Sequence, residues 1–201
     1  MDYTEKIDLH MHTLVSDGTD SPSGIVKCVK NAGITLFSVT DHDAIKGCAE
    51  IVNTLSAGDP AFIFGVEFSC KDQDGQYHIL GYGYDKDAPS ICKVVETGHN
   101  LRMAKLKKRL DFIEKEFGFA FSEKDRENLF TMYNPGKPHI GNMMVEYGYA
   151  PNLTVAIEKY LNKCVVKSEY VRPEEAIEGI LSAGGIPVLA HPSYGRGDEL
   201  Y

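Results

Sequence analysis

The chain has 201 residues, of which 43% are hydrophobic and 25% are charged, a composition typical of one globular domain with at most a small subdomain. Its formal net charge of −8 argues against broad electrostatic binding to duplex nucleic acid or to an anionic membrane, because both need clustered lysine and arginine. A small phosphorylated ligand is compatible with this charge.

Cysteine usage and the lack of long apolar segments bear on location. The five cysteines are odd in number, widely separated and free of any CxxC spacing, which is typical of reduced thiols in a cytosolic chain. The sequence contains no signal-peptide pattern and no apolar stretch of about 18 residues. We therefore expect a cytoplasmic protein that does not span a membrane.

The first predicted elements are a strand and a helix. Residues 6–12 alternate between apolar and polar side chains, which predicts a strand with His10 and His12 on the same side. Residues 21–33 contain a capping serine, a first-turn proline, an apolar stripe and a closing glycine, which together predict a helix.

The strand and helix pattern then repeats. A strand is predicted at 35–40, a helix at 45–55, and further strands at 61–68 and, after an Asp-Gly turn signal, at 77–84. Alternation of strands with helices favours a parallel sheet or barrel in an α/β fold.

The middle of the chain has a different pattern. Apolar stripes with helical spacing occur at 101–117 and 155–161, and no strand is evident between them. The α/β pattern resumes at Val165 and Val166, with a helix at 173–183 and an apolar run at 186–190. We therefore divide the chain into the first part of an α/β domain (1–97), a helical insertion that caps the substrate (98–165) and the remainder of the α/β domain (166–201).

Residues able to bind metals fall on the predicted strands or at their carboxyl ends, the edge that carries the active site in parallel α/β folds. Each of them alone is more often structural, so the inference rests on their shared position. Imidazoles and carboxylates without thiolates suit Mn, Fe or Zn. The candidates are His10, His12, Asp17, His42, Glu67, His78 and His191.

A series of motifs connects these residues to a known family. An HxH pair followed by SDG, then TDHD, GVE, YHILGY and VLAHP resembles the polymerase and histidinol phosphatase (PHP) superfamily over nearly the whole chain. The SDG aspartate and the KPHIGN segment resemble the branch of metal-dependent phosphoesterases that act on nucleoside 3′,5′-bisphosphates and short 5′-phosphorylated RNA. The resemblance implies a distorted (β/α)7 barrel with two or three divalent metals.

The resemblance also assigns the ligands. The first metal is held by His10, His12 and Glu67, the second by Glu67, His78 and His191, and the third by Asp17 and His42. The implied mechanism uses a metal-activated water and no protein nucleophile.

Two aspartates stand beside a predicted ligand in TDHD. Asp41 and Asp43 are candidates for orienting a ligand histidine from behind, and the alternative is that they are solvated loop residues.

The family's last motif, an Asp-x-His downstream of the AHP element, supplies further ligands to the first and third metals. This chain ends at Tyr201 before such a motif. We therefore expect a barrel that is truncated at the C-terminus, with the third metal bound most weakly.

The insertion supplies candidate contacts to a non-reacting phosphate, which needs charge-assisted donors. The resemblance favours Lys137 and His139, and Arg102 is a further candidate whose alternative is a solvated helix face.

The leading functional hypothesis is hydrolysis of phosphate monoesters or short 5′-phosphorylated RNA, with a nucleoside 3′,5′-bisphosphate favoured. Two alternatives stay open: a sugar or histidinol phosphate phosphatase, and a non-catalytic PHP-like regulatory module. The expected partner is a small phosphorylated substrate, and the sequence does not predict an oligomeric state.

Overall fold

The computed structural model of the protein describes residues 6–164 and 170–192. Five strands form one sheet in the order β1-β2-β3-β4-β5; they are β1 Ile7–Met11, β2 Leu36–Val39, β3 Ala61–Lys71, β4 Gln76–Tyr82 and β5 Ile186–Leu189. The helices are α1 Pro22–Ala32, α2 Lys46–Val52, α3 Pro89–Phe117, α4 Glu123–Thr131, α5 Lys137–Glu146, α6 Leu153–Val155 and α7 Pro173–Ser182. A π-helical turn at Ala156–Tyr160 and a 3₁₀ turn at Leu161–Lys163 follow α6.

The sheet is mixed. Strands β1, β2 and β3 pair in parallel, and the helices α1 and α2 provide the crossovers that parallel pairs need. Strands β3 and β4 form an antiparallel hairpin, and β4 pairs antiparallel with β5. The α/β class is confirmed, but the sheet is not parallel throughout, and within the described residues β1 and β5 do not pair to close a barrel.

The sheet is nevertheless strongly curled. The Tyr82 hydroxyl on β4 donates to the carbonyl of Leu9 on β1 at 2.9 Å, although two strands separate them. The rings of His10 and His191, from opposite edges of the sheet, have centroids 5.9 Å apart. Side chains on the concave face of all five strands can therefore meet.

The chain divides into two compact units, and the first contains the sheet. This unit comprises Met1–His99 and Tyr170–Tyr201. Its buried core joins α1 and α2 to the parallel strands through Ile25, Val26, Val29, Phe37, Val39, Cys48 and Ile51. On β4, Gly81 lets Ile180 of α7 approach closely, because a Cβ at this position would lie 2.8 Å from the Ile180 side chain.

The second unit, Asn100–Glu169, is helical in every regular element that the structure describes between residues 100 and 164. Its core contains the predicted stripe residues Leu106, Leu110 and Ile113, all fully buried. Aromatic rings extend this core, with Phe119 and Tyr149 stacked at a centroid distance of 4.5 Å.

Local signals predicted the first helix well. Ser21 caps α1 by accepting a hydrogen bond from the Gly24 amide, and Gly33 ends the helix at φ 68°, a conformation that glycine adopts without strain.

The strand expected at Val165 and Val166 lies outside the described residues. Among the described residues, no helix combines the length and the apolar character needed to cross a membrane.

Candidate metal centre

The concave face of the sheet brings the seven predicted ligands into one cluster. His10 lies on β1 and His12 just after it, Asp17 is in the following loop, His42 follows β2, Glu67 is on β3, His78 is on β4, and His191 follows β5. A register shift between Asp8 and Met11 inserts one extra residue in β1 relative to β2. Such a bulge changes the direction of side chains, and both histidines of the pair reach the same carboxylate oxygen.

Glu67 is the centre of the cluster. Its side chain is 1% exposed, and its Oε2 lies 3.0 Å from His10 Nε2 and 3.1 Å from His12 Nε2. Its Oε1 lies 2.8 Å from His78 Nδ1 and 3.1 Å from His191 Nε2. Burial alone would raise the Glu67 pKa, but hydrogen bonds from the histidines outweigh it and lower this pKa. Glu67 is therefore a carboxylate with two oxygens shared among four imidazoles.

The loop after β2 holds Glu67 in place. His42 forms an isolated parallel bridge with Glu67, the Glu67 amide donates to the Asp41 carbonyl at 3.3 Å, and the Asp43 amide donates to the Glu67 carbonyl at 2.9 Å. His42 Nδ1 thereby lies 3.6 Å from Glu67 Oε2.

Asp17 lies on the opposite side of His12 and His42 from Glu67. Its carboxylate oxygens lie 3.5 Å from His12 Nδ1 and 3.7 Å from His42 Nε2. Burial lowers the pKa of His12, but the hydrogen bond to Glu67 and the charge of Asp17 raise it overall. His12 therefore lies between two carboxylates, with one ring nitrogen facing each.

The spacing of the imidazoles fits a site for cations. His78 Nδ1 and His191 Nε2 lie 3.2 Å apart, and both approach the same Glu67 oxygen. His191 adopts φ 28°, a rare region for a residue other than glycine and one enriched at functional sites. A set of nitrogen and oxygen donors without thiolate suits borderline divalent metals.

Three groups of ligand atoms, each within 4.8 Å of one another, occur among the described residues. They are His10, His12 and Glu67; His12, Asp17 and His42; and His42, Glu67 and His78. The first is the set that the resemblance assigned to one metal. The second group adds His12 to the predicted pair Asp17 and His42. The third group contains His42 with Glu67 and His78, two members of the predicted set Glu67, His78 and His191.

The two aspartates of TDHD are not solvated loop residues, since each is 1% exposed. Asp41 accepts hydrogen bonds from the amide and hydroxyl of Thr13 and from the hydroxyl of Ser16, and Asp43 accepts one from the Ser69 amide. Sequence analysis missed Thr13 and Ser16, although their positions within HxHTxxSDG were a usable signal.

The three predicted phosphate contacts meet at Gly136 in the second unit. A Cβ at Gly136 would lie 3.3 Å from Arg102 Nη1. The Gly136 amide donates to His139 Nδ1 at 3.0 Å, and Lys137 begins α5. Lys137 Nζ donates to Asn162 Oδ1 at 2.7 Å, and burial together with the charge of Arg109 lowers the Lys137 pKa.

Known proteins resemble this chain over most of its length. A 5′-3′ exoribonuclease from Haemophilus influenzae is 30% identical over 192 residues, which cover 94% of this chain and 69% of that protein. A 3′,5′-nucleoside bisphosphate phosphatase from Chromobacterium violaceum is 26% identical over 194 residues, which cover 92% and 66%. The solved structure of an amidohydrolase from the same organism, with bound sulfate and no metal, matches with a TM-score of 0.85 at 25% identity, covering 94% of this chain and 68% of that one.

The chain therefore spans about two thirds of the length of these relatives. The PHP domain model matches residues 8–182, a range that includes every candidate ligand except His191. The family inferred from the motif series is confirmed, and the chain belongs to the PHP domain family.

Proposed function

We propose that this protein is a metal-dependent phosphoesterase that hydrolyses small phosphorylated substrates, with a nucleoside 3′,5′-bisphosphate or a short 5′-phosphorylated RNA as the substrate class. The observation that carries the proposal is the buried Glu67 carboxylate with four imidazole nitrogens at 2.8–3.1 Å. Such a concentration of donors is costly for a structural core, because the nitrogens repel one another unless protons or a cation lie between them.

The donor set supports two positions that share Glu67. His10 and His12 would hold one metal and His78 and His191 a second, with Glu67 contributing to both; Asp17 and His42 would serve a third. Mn, Fe and Zn all suit this set. When bound, such metals lower the pKa of a water molecule and offset negative charge on phosphoryl oxygens.

The chain's own residues would prepare the site for that chemistry. Glu67 stays ionised because the imidazoles around it lower its pKa. Its burial keeps water from competing for its oxygens. Ser16 Oγ lies 3.4 Å from His12 Nδ1, but it is buried and donates to Asp41 Oδ1 at 2.7 Å, so it is not placed as a nucleophile and we propose direct attack by water.

Arg102, Lys137 and His139 would bind the phosphate that does not react. His139 Nδ1 accepts from the Gly136 amide, so a neutral His139 carries its proton on Nε2 and donates from there. Lysine and arginine add charge-assisted hydrogen bonds. Such contacts would favour a substrate with two phosphates over a simple sugar or histidinol phosphate.

The names of two relatives support this substrate class: one is a nucleoside bisphosphate phosphatase and the other a 5′-3′ exoribonuclease. We also propose that the five strands belong to the distorted seven-stranded barrel of the family, with residues 98–165 as a cap. The five free thiols support a cytoplasmic location.

Product release tests the proposal: inorganic phosphate is measured for the two phosphate monoesters, and nucleoside 5′-monophosphate is measured for the RNA, because trimming RNA breaks a phosphodiester bond. Adenosine 3′,5′-bisphosphate, a 5′-phosphorylated RNA tetranucleotide and histidinol phosphate are each incubated with the protein and Mn, with and without excess chelator. Faster release from the first or second substrate that stops with chelator supports the assignment. Preference for histidinol phosphate would replace the substrate class, and the absence of release from all three would refute phosphoesterase activity.

A further inference from the structure

The Ser16 hydroxyl lies among two carboxylates and a proposed ligand. Its Oγ is 2.7 Å from Asp41 Oδ1, and it is 3.4 Å from both His12 Nδ1 and Asp17 Oδ1. Ser16 is buried, so water does not compete for these contacts. Because a serine hydroxyl has a single proton, only one neighbour can receive it.

The distances assign that proton to Asp41. The contact to Asp41 has the usual length of an O–H···O hydrogen bond, and the contacts to His12 and Asp17 are longer. Asp41 is also fixed in place, because it accepts from Thr13 N at 2.7 Å and from Thr13 Oγ1 at 2.8 Å. With its proton donated to Asp41, Ser16 presents oxygen lone pairs toward His12.

The two nitrogens of His12 have different surroundings. Nε2 lies 3.1 Å from Glu67 Oε2, on the side of the proposed metal position formed with His10 and Glu67. Nδ1 faces Ser16. An imidazole that binds a metal through Nε2 carries its proton on Nδ1, and a hydrogen bond to that proton orients the ring.

We propose that Ser16 is a positioning residue for this metal position: its oxygen accepts the Nδ1 proton of His12, while Asp41 fixes the hydroxyl by accepting its proton. The inference rests on the proposed function, because it presupposes metal at the centre. The proposal links three sequence motifs through one continuous chain of hydrogen bonds. Asp41 of TDHD fixes Ser16 of SDG, and Ser16 orients His12 of HxH.

Zinc affinity at neutral pH, measured by competition with a fluorescent chelator, tests this role in the full chain. Ser16→Ala should weaken zinc binding by about 10–100-fold, the usual effect of removing a partner that orients a ligand. Ser38→Ala is the matched control, because it removes another buried hydroxyl, one for which the described residues offer no hydrogen-bond partner. Circular dichroism in chelator establishes that both variants fold.

A second readout follows the proton itself. In the zinc-loaded protein with ¹⁵N-labelled histidine, the Nδ1 proton of His12 should give a signal protected from exchange with water in wild type and in Ser38→Ala, and should lose that protection in Ser16→Ala. Equal zinc affinity in wild type and Ser16→Ala, or equal losses in the two variants, would overturn the role of Ser16 and leave the metal centre intact. Failure of the wild-type protein to bind zinc would overturn both the role of Ser16 and the proposed metal centre.

Discussion

Gly47 is the position where one methyl group should disturb the metal loop most. It lies in the first turn of α2, and a Cβ there would be 2.1 Å from Asp41 Oδ2, inside any distance that real Cβ atoms adopt. The Asp41 carboxylate would have to retreat by about 1 Å, which stretches hydrogen bonds of 2.7–2.8 Å to Thr13 and Ser16 beyond useful length.

The cost of Gly47→Ala follows from those contacts. Buried hydrogen bonds to a charged group contribute about 1.5–3 kcal/mol each, and alanine in a helix returns up to about 1 kcal/mol relative to glycine. Losing two of the three bonds therefore lowers the free energy of unfolding by about 2–5 kcal/mol net, or roughly 4–20 °C in Tm for a chain of this size.

Urea and thermal unfolding in chelator measure this cost. The matched control is Gly24→Ala, also in the first turn of a helix, where the nearest atom to the added Cβ is a serine hydroxyl at 3.2 Å. The control should change stability by less than about 1 kcal/mol. If Gly47→Ala were as stable as its control, the account of Asp41 as a tightly enclosed anchor would be refuted.

Three further predictions concern substrate, thiols and metal. Lys137→Ala should raise KM for adenosine 3′,5′-bisphosphate by about 10–100-fold through loss of a charge-assisted hydrogen bond. The control Lys124→Ala, at an exposed residue, should change KM little. Equal effects of the two substitutions would show that Lys137 does not bind the substrate. Burial raises the pKa of the Cys48 thiol to about 12, so this thiol is protonated at pH 8. Mass spectrometry should therefore find Cys48 unmodified by iodoacetamide when the exposed Cys28 has reacted. Equal labelling rates of the two cysteines would contradict this prediction. Mn at about 100 times its Kd should add about 2.7 kcal/mol to the free energy of unfolding for each ion bound. An unchanged Tm would argue against a site formed in the folded state.

Signals encoded in neighbouring residues were predicted well. The cap serine and closing glycine bound α1 as expected, and strand alternation placed the ligands on one face of the sheet. Those features depend on backbone conformation and side-chain period, which a single segment determines.

Features that depend on distant contacts were not predictable in the same way. Strand β3 was predicted to end at residue 68 but continues to Lys71, because its hairpin partner β4 pairs with it up to that residue. Pairing with β4 and β5 also makes the sheet mixed, and the direction of a strand is set by tertiary connections rather than by its own sequence.

The aspartates of TDHD illustrate the same limit within the site. Polar residues after a strand usually lie in solvent, yet Asp41 is buried beneath the loop that contains Thr13 and Ser16. Only the approach of two loops, after β1 and after β2, supplies its hydrogen-bond partners. Sequence alone identified Asp41 as a candidate for orienting a ligand histidine, but it could not identify Thr13 and Ser16 as the hydrogen-bond partners of Asp41.

Metal content tests the central claim most directly. Wild type, Glu67→Gln and the control Glu50→Gln are purified without chelator, incubated with Mn, desalted and analysed by elemental analysis. Glu50 is a suitable control because it is exposed on α2, where its carboxylate lies 3.9 Å from Lys46 Nζ. Wild type and Glu50→Gln should retain at least two divalent ions per chain, and Glu67→Gln should lose most of them because both shared positions depend on this carboxylate. Equal metal content in wild type and Glu67→Gln, or none in either, would contradict a metal centre built on Glu67.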